Sequence, residues 1–419
     1  MRKLLTTALF LSALFFLQGC VKDNCDQTLT YTFFRPVYKT KTEVRTNIRS
    51  NAPRQVERPG KLYIRGNYIF LTEIDRGIHV IDNANPANPQ NVAFIDIPGN
   101  MDMAVKGNIL YADLYTDLVA LDITNPSGVK LEHVEEGVFP HRRWAGNFWA
   151  DTSKVIADWI RVDTTVKVDC SSRGRIVMED RAVLTSYTAS GTGGASAAAS
   201  PFGMGGSMAR FAIVNEYLYT VGPYDLSAFN ITTGTRPQFV SNRHVGMNIE
   251  TIYPFKNNLF LGSTSGMFIY NISSPGNPTL TGQFSHVRSC DPVIADDTHA
   301  YVTLRSGTTC QGFTNQMEVL KLNNLTNPSL VKTYQLTNPH GLSKDGNTLF
   351  ICDGRDGLKV YNAANVENLQ LLNTISGIET YDVIAFNKVA IVVAKDGLYQ
   401  YDYSDLSNIR LLSKITVNR

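Results

Sequence analysis

The sequence predicts an all-β chain built from repeated small antiparallel sheets, and three observations carry that expectation. A short apolar phrase recurs, clearest as Gly77-Ile-His-Val-Ile-Asp82, Gly357-Leu-Lys-Val-Tyr-Asn362 and Gly397-Leu-Tyr-Gln-Tyr-Asp402. Alternating apolar residues closed by a turn residue read as a half-buried strand. The closing residues of the copies fall at 82, 122, 230, 271, 321, 362 and 402, so the spacings are 40, 108, 41, 50, 41 and 40. A repeat near 40 residues with strand periodicity marks a propeller blade. Seven residues after each anchor, Pro89, Val129, Pro237, Pro278, Pro328, Leu369 and Ile409 each open another apolar run. The expected fold is a β-propeller of seven four-stranded blades, with six or eight as alternatives and a long insertion between the second and third repeats.

Before the repeats, Met1-Arg-Lys and the apolar run Leu4 to Leu17 predict a signal peptide over residues 1–19, too short to span a bilayer. The run ends in Leu17-Gln-Gly-Cys20, which resembles a lipobox and implies that Cys20 is lipidated. Val21-Lys-Asp-Asn-Cys-Asp26 resembles the Lys/Asp-rich export signal of Bacteroidetes-type lipoproteins, which implies an outer-membrane anchor facing the cell exterior; a polar linker is the alternative. Residues 20–58 read as a lipidated tether, and its strand-like piece Leu29 to Phe34 as a partner for the last blade that would close the ring.

Residues 59–419 make the propeller. In its second blade the four strands are Met101 to Lys106, Ile109 to Ala112, Leu118 to Leu121 and Val129 to Val134, here called a, b, c and d. Gly107-Asn108 is a tight-hairpin dipeptide. Leu118-Val-Ala-Leu-Asp122 and Leu358-Lys-Val-Tyr-Asn362 resemble the Leu-Val-Ile-Val-Asp repeat of a family of bacterial surface proteins. The likeness implies a propeller and a surface location, and no reaction. Lys321 departs from the Asp/Asn anchor and puts that turn in question.

The long spacing places an insertion at 141–207, in the d–a connection between blades two and three; a shorter addition lies around Arg305 to Asn315, in a b–c loop. Both extend one face of the disc. The insertion holds all three tryptophans, Trp144, Trp149 and Trp159, while its stretch 190–206 is low-complexity and reads as mobile. Asp102, Arg210, Glu250, Asp291, His340 and Asp382 start the innermost strands on that face. They either ring the mouth of the channel or satisfy nearby backbone groups. With Arg305 and the tryptophans they define the candidate binding face.

Cys290 and Cys310 flank strands a and b of the fifth blade on that face, and an exported chain meets oxidising conditions, so a disulfide is expected between them. Cys352 reads as a buried thiol. The net charge of +2 falls to 0 once Arg2 and Lys3 leave, which argues against a nucleic-acid partner. No metal or cofactor is expected: carboxylates at the channel mouth suit a hard cation, but they lack ligand spacing and stand beside Arg210, and His-Glu-x-x-His, Gly-x-Ser-x-Gly and phosphate-loop patterns are missing. The expected activity is non-catalytic binding or scaffolding of a protein or glycan partner at the insertion-bearing face. The alternative is a propeller enzyme that uses channel-mouth carboxylates on an extracellular glycan.

Overall fold

A computed structural model describes residues 26–169, 204–286, 289, 292–307 and 313–418. Cys20, Cys290, Asp291 and Cys310 lie outside the described residues. The chain divides into two compact units.

The larger unit is a ring of seven antiparallel blades of four consecutive strands each, and the sheet of blade 1 gains one further short strand at either edge. Blade 1 comprises Pro59–Arg65, Tyr68–Glu73, Gly77–Asp82 and Gln90–Asp96. The following blades open with strands Met103–Lys106, Phe211–Val214, Ile249–Phe255, Val293–Ala295, Leu342–Asp345 and Thr380–Phe386. A seven-bladed propeller results, as the repeat predicts.

Local chemistry explains the repeat. The a–b hairpins turn on a left-handed residue at one register: Gly66, Gly107, Asn215, Lys256, Gly346 and Asn387 all have φ between 50° and 58°. The anchor residue closes strand c with an Asx turn, as in Asp122 Oδ1, which accepts the N–H of Thr124 at 2.8 Å, and Asn362 Oδ1, which accepts that of Ala364 at 3.0 Å. Lys321 has no such acceptor, yet its turn survives. The next N–H, of Leu322, donates to Thr298 O at 2.8 Å, as that of Ile123 does to Asn108 O in blade 2. The glycine that opens the phrase is equally required. A Cβ on Gly77 or Gly357 would stand 2.0 Å from the carbonyl oxygen of Ile95 or Ile375 on the neighbouring strand d.

In every blade one residue of strand d bulges out of register with strand c, at Val92, Glu132, Val240, Thr281, Val331, Leu372 and Leu412. Bulges twist an outer strand away from flat pairing, which blunts the exposed edges of the disc. Strand b supplies large buried rings: Phe70, Tyr111, Tyr219, Phe260, Tyr301 and Phe350. Some also staple neighbouring blades, as when Tyr111 Oη donates to Gly234 O at 2.6 Å and Tyr219 Oη to Pro275 O at 2.9 Å. Cys352 is a buried free thiol.

The ring closes by side-chain packing. Ile384, Ile391, Val393 and Leu398 of blade 7 share one apolar cluster with Leu62, Ile64, Ile69 and Leu71 of blade 1. Gln400 and Asn83 exchange two side-chain hydrogen bonds, at 2.9 and 2.6 Å, across the same seam. The segment Leu29 to Phe34, expected to pair with the last blade, belongs instead to the strand Asp26–Thr40, whose partner is Lys154–Asp169. Among the described N-terminal residues, Val56 pairs there, in an isolated parallel bridge with Val417.

Residues 38–58 are docked rather than free. The helix Lys41–Arg45 carries a Thr40/Glu43 capping box and buries Val44 in the core, while Arg49–Asn51 adds an outer strand to blade 1. Among the described residues no helix is long and apolar enough to cross a membrane. The smaller unit comprises residues 26–37, 146–148 and 158–169 of the described chain. Its main feature is a two-stranded ribbon in which Thr30 Oγ1 meets Thr165 Oγ1 at 3.2 Å.

Candidate functional site

The channel is lined by the a strands, and one register position points charge into it. Counting back five residues from the left-handed turn residue gives Lys61, Asp102, Arg210 and Asp382 in blades 1, 2, 3 and 7, and the uncharged Thr251 and Gly341 in blades 4 and 6. Asp102 and Asp382 are 3% and 0% exposed, and each carboxylate accepts the N–H of the following residue, Met103 at 2.7 Å and Val383 at 2.6 Å. Burial pushes the Asp102 carboxyl up to about 6, opposed by Lys61 and by its backbone donors. Burial pulls the Lys61 ammonium down to about 8, against the attraction of Asp102. Glu250 is raised by burial, and Arg305 is lowered by it. Burial also holds His340 well below the usual imidazole range, with its Nε2 2.8 Å from Asn338 Oδ1 and its ring edge-on to Tyr381 at 5.3 Å. Among the described residues no group of three or more His, Cys, Asp or Glu is arranged to hold a metal.

The end of the insertion fills this channel. Met204–Gly205 pairs antiparallel with strand a of blade 1, Met204 opposite Ile64 and Gly205 opposite Tyr63. Gly206 N–H then donates to Leu62 O at 3.2 Å, and Ser207 Oγ accepts the N–H of Leu342 in blade 6 at 3.3 Å. Lys61 Nζ donates to Met208 O, Ile252 N–H of blade 4 donates to Ala209 O at 2.8 Å, and Arg210 N–H donates to Asp102 of blade 2. One segment thus bonds to blades 1, 2, 4 and 6 and plugs the ring. Its small residues are what let it fit: a Cβ on Gly205 would press Ala209 at 3.2 Å and Tyr63 at 3.3 Å. Residues 204–206, expected as mobile, are therefore held in place.

The start of the insertion builds a second feature. Phe139 stacks on Phe211 at 5.7 Å, and the 3-10 turn Pro140–Arg143 brings Arg142 onto Asp113. Asp113 also accepts the N–H of Asp102 at 2.9 Å, so the insertion's root is bonded to the channel. Arg142 lies 5.9 Å from the Tyr115 ring in the b–c loop of blade 2, which puts d–a connection and b–c loop on one face, as the strand order requires.

Two short strands follow, Trp144–Ala145 and Phe148–Trp149, paired through a turn in which Gly146 has φ 60°. Trp144 is 57% exposed and Trp149 54%. The guanidinium carbon of Arg143 lies 5.6 Å from the Trp144 ring centre and 5.2 Å from that of Trp149. Arg143 Nε donates to Ala150 O at 3.0 Å. Trp159 is different: half-buried, it packs edge-on against Phe148 at 5.7 Å within the smaller unit. The structure thus brings Asp102, Arg210, Glu250, His340 and Asp382 into the channel mouth with Arg305, while Trp144 and Trp149 flank Arg143 and Trp159 packs on Phe148. Lys61 belongs to the channel set although sequence reasoning passed it over.

Residues 60–95 and 99–133 match the LVIVD repeat family. The match covers blades 1 and 2. No curated protein shows significant sequence similarity to it. Among solved structures, the chain is similar to the computationally designed Ika8 protein, at 10% identity and TM-score 0.51, covering 87% of this chain and 90% of that one. It is also similar to a protein from Lactobacillus plantarum, at 13% identity and TM-score 0.51, covering 86% and 97%. Sqt1 from Saccharomyces cerevisiae aligns at 7% identity and TM-score 0.50, over 91% and 88%. At these identities the likeness shows the propeller fold alone.

Proposed function

We propose that this LVIVD-repeat propeller is a lipoprotein, anchored through Cys20 to the outer membrane and displayed outside the cell, that binds a protein or glycan partner on its insertion-bearing face without catalysis. One observation carries the binding reading. The end of the insertion, residues 204–207, bonds across the channel, while the start of the insertion presents two half-exposed tryptophans beside Arg143. Exposed aromatics beside an arginine are the composition of binding hot spots. The channel carboxylates that an enzyme would use, Asp102 and Asp382, are buried and bonded to backbone N–H groups, which supports a structural role for them. Location rests on the Leu17-Gln-Gly-Cys20 and Lys22-Asp23 residues. The Cys290–Cys310 disulfide is part of the same proposal. Ser289 Oγ donates to Arg305 O at 2.7 Å, a bond between the residue before Cys290 and the residue after strand b, which supports that reading.

Protease treatment of whole cells tests display: the wild type is cut before lysis, and Cys20→Ser releases or mislocalises the protein. Cross-linked pull-down from outer membranes tests binding, with a captured partner that Trp144→Ala and Trp149→Ala both lose. Protection until lysis sinks the surface reading; capture indifferent to both tryptophans sinks the binding face.

A further inference from the structure

We infer that the hairpin Trp144–Trp149 is a carbohydrate site for a uronate-bearing oligosaccharide, an inference that rests on the binding reading above. Three features of the hairpin meet in that ligand. The two indoles present large apolar faces that are more than half exposed, at 57% and 54%, and sugars offer apolar C–H faces that stack on such rings. The neighbourhood is otherwise polar rather than a continuous apolar patch: Trp149 shares a shallow cleft with Tyr38, Asp151 and Lys154, the last two paired at 3.3 Å. A phenol and an ion pair beside an aromatic platform supply donors and acceptors for hydroxyl groups.

Charge selects the class of sugar. Arg143 has no carboxylate partner among the described residues, whereas Arg142 next to it is bonded to Asp113, and Lys41 and Arg45 are both paired with Asp117. Two indoles and the Nε bond to Ala150 O hold the guanidinium in place. A fixed planar fork with unused N–H groups between stacking surfaces complements a carboxylate carried on a stacked ring. A neutral glycan leaves that charge unanswered.

Titration of the purified mature protein with hexagalacturonate, read by tryptophan fluorescence, tests this directly, since all three tryptophans lie in the insertion. Binding that weakens with salt is expected, with a loss of about tenfold or more in Trp149→Ala and in Arg143→Gln. Arg143→Lys keeps the charge but not the fork and should recover only part of the affinity, and unchanged melting of each variant separates site loss from unfolding. Equal or tighter binding of neutral cellohexaose or of a sulfated hexasaccharide overturns the uronate assignment. So does no binding of any sugar by a protein whose partner capture still depends on Trp144 and Trp149, a result that leaves the binding reading standing. Partner capture independent of both tryptophans removes that reading and this inference together.

Discussion

The carboxylate of Asp102 accepts the backbone N–H of Arg210 at the point where the insertion rejoins the ring. The bond ties blade 2 to the channel plug, and burial sets its electrostatic cost. The folded Asp102 carboxyl titrates at about 6, above its ordinary value of 3.8. A raised carboxyl contributes stability that is full below pH 3.8 and is lost as pH rises through 6. By this linkage the ionised Asp102 costs on the order of 3 kcal/mol at neutral pH. Buried neutral His340 acts oppositely, since its stabilising contribution is lost as pH falls below the ordinary imidazole range. The wild-type profile alone therefore mixes these two with the other shifted groups, Glu250 and Lys61. The difference between wild type and Asp102→Asn isolates the carboxylate: Asp102→Asn should be the less stable at pH 4, with the gap closing or reversing by pH 7. Urea titrations at the two pH values measure it; a constant gap would mean that Asp102 titrates normally.

Closure is held by the apolar seam between blades 7 and 1 and by the Gln400–Asn83 amide pair. Removing residues 380–419 bares Leu62, Ile64, Ile69 and Leu71 of blade 1 and leaves two unsealed blade faces. That truncation should aggregate or lose its cooperative melt. A soluble monomer with a single sharp transition would show that the ring does not need its last blade.

Gly357 has φ 85°, and a Cβ there would fall 2.0 Å from Ile375 O. Gly357→Ala should cost roughly 1–3 kcal/mol through left-handed strain, with further loss from displacing strand d. Gly346, with φ 56° but open space around it, serves as the control, and its alanine variant should lose less because only the backbone conformation is penalised. Denaturant midpoints of the pair decide whether steric approach or conformation fixes the phrase's glycine.

The ring was legible because its signals are local and repeated: the glycine, the alternation, the Asp or Asn anchor and the left-handed turn residue each act within a few residues. Asp102, Arg210 and Asp382 were placed by that register, and the same count gives Lys61, whose neighbours Gly60 and Leu62 hid it in an ordinary strand start. The plug was not legible. Met204 to Ser207 reads as linker because small residues serve equally for flexibility and for close approach, and only the channel walls decide between them. The wrong partner for Leu29 to Phe34 has a similar origin. Its alternation specifies a strand but not its mate, and the hydrogen bond from Thr32 to Asp163 spans 131 residues.

Trp144, Trp149 and Trp159 look alike in the sequence and stand in different surroundings. Trp144 and Trp149 are more than half exposed and touch Arg143 rather than a core. Trp159 packs half-buried against Phe148. Truncating an exposed ring forfeits little packing, so Trp144→Ala and Trp149→Ala should shift stability by about 0.5 kcal/mol or less. Each should weaken partner capture by roughly 2 kcal/mol, the hot-spot scale. Trp159→Ala should do the reverse, melting earlier or opening the insertion to protease by an amount toward the lower end of the roughly 3–5 kcal/mol expected for a core ring, because its burial is partial. Thermal melts, limited proteolysis and quantitative pull-downs on the three single variants separate these roles. Equal behaviour of all three would mean that exposure does not sort them, and that the rings act as one structural cluster.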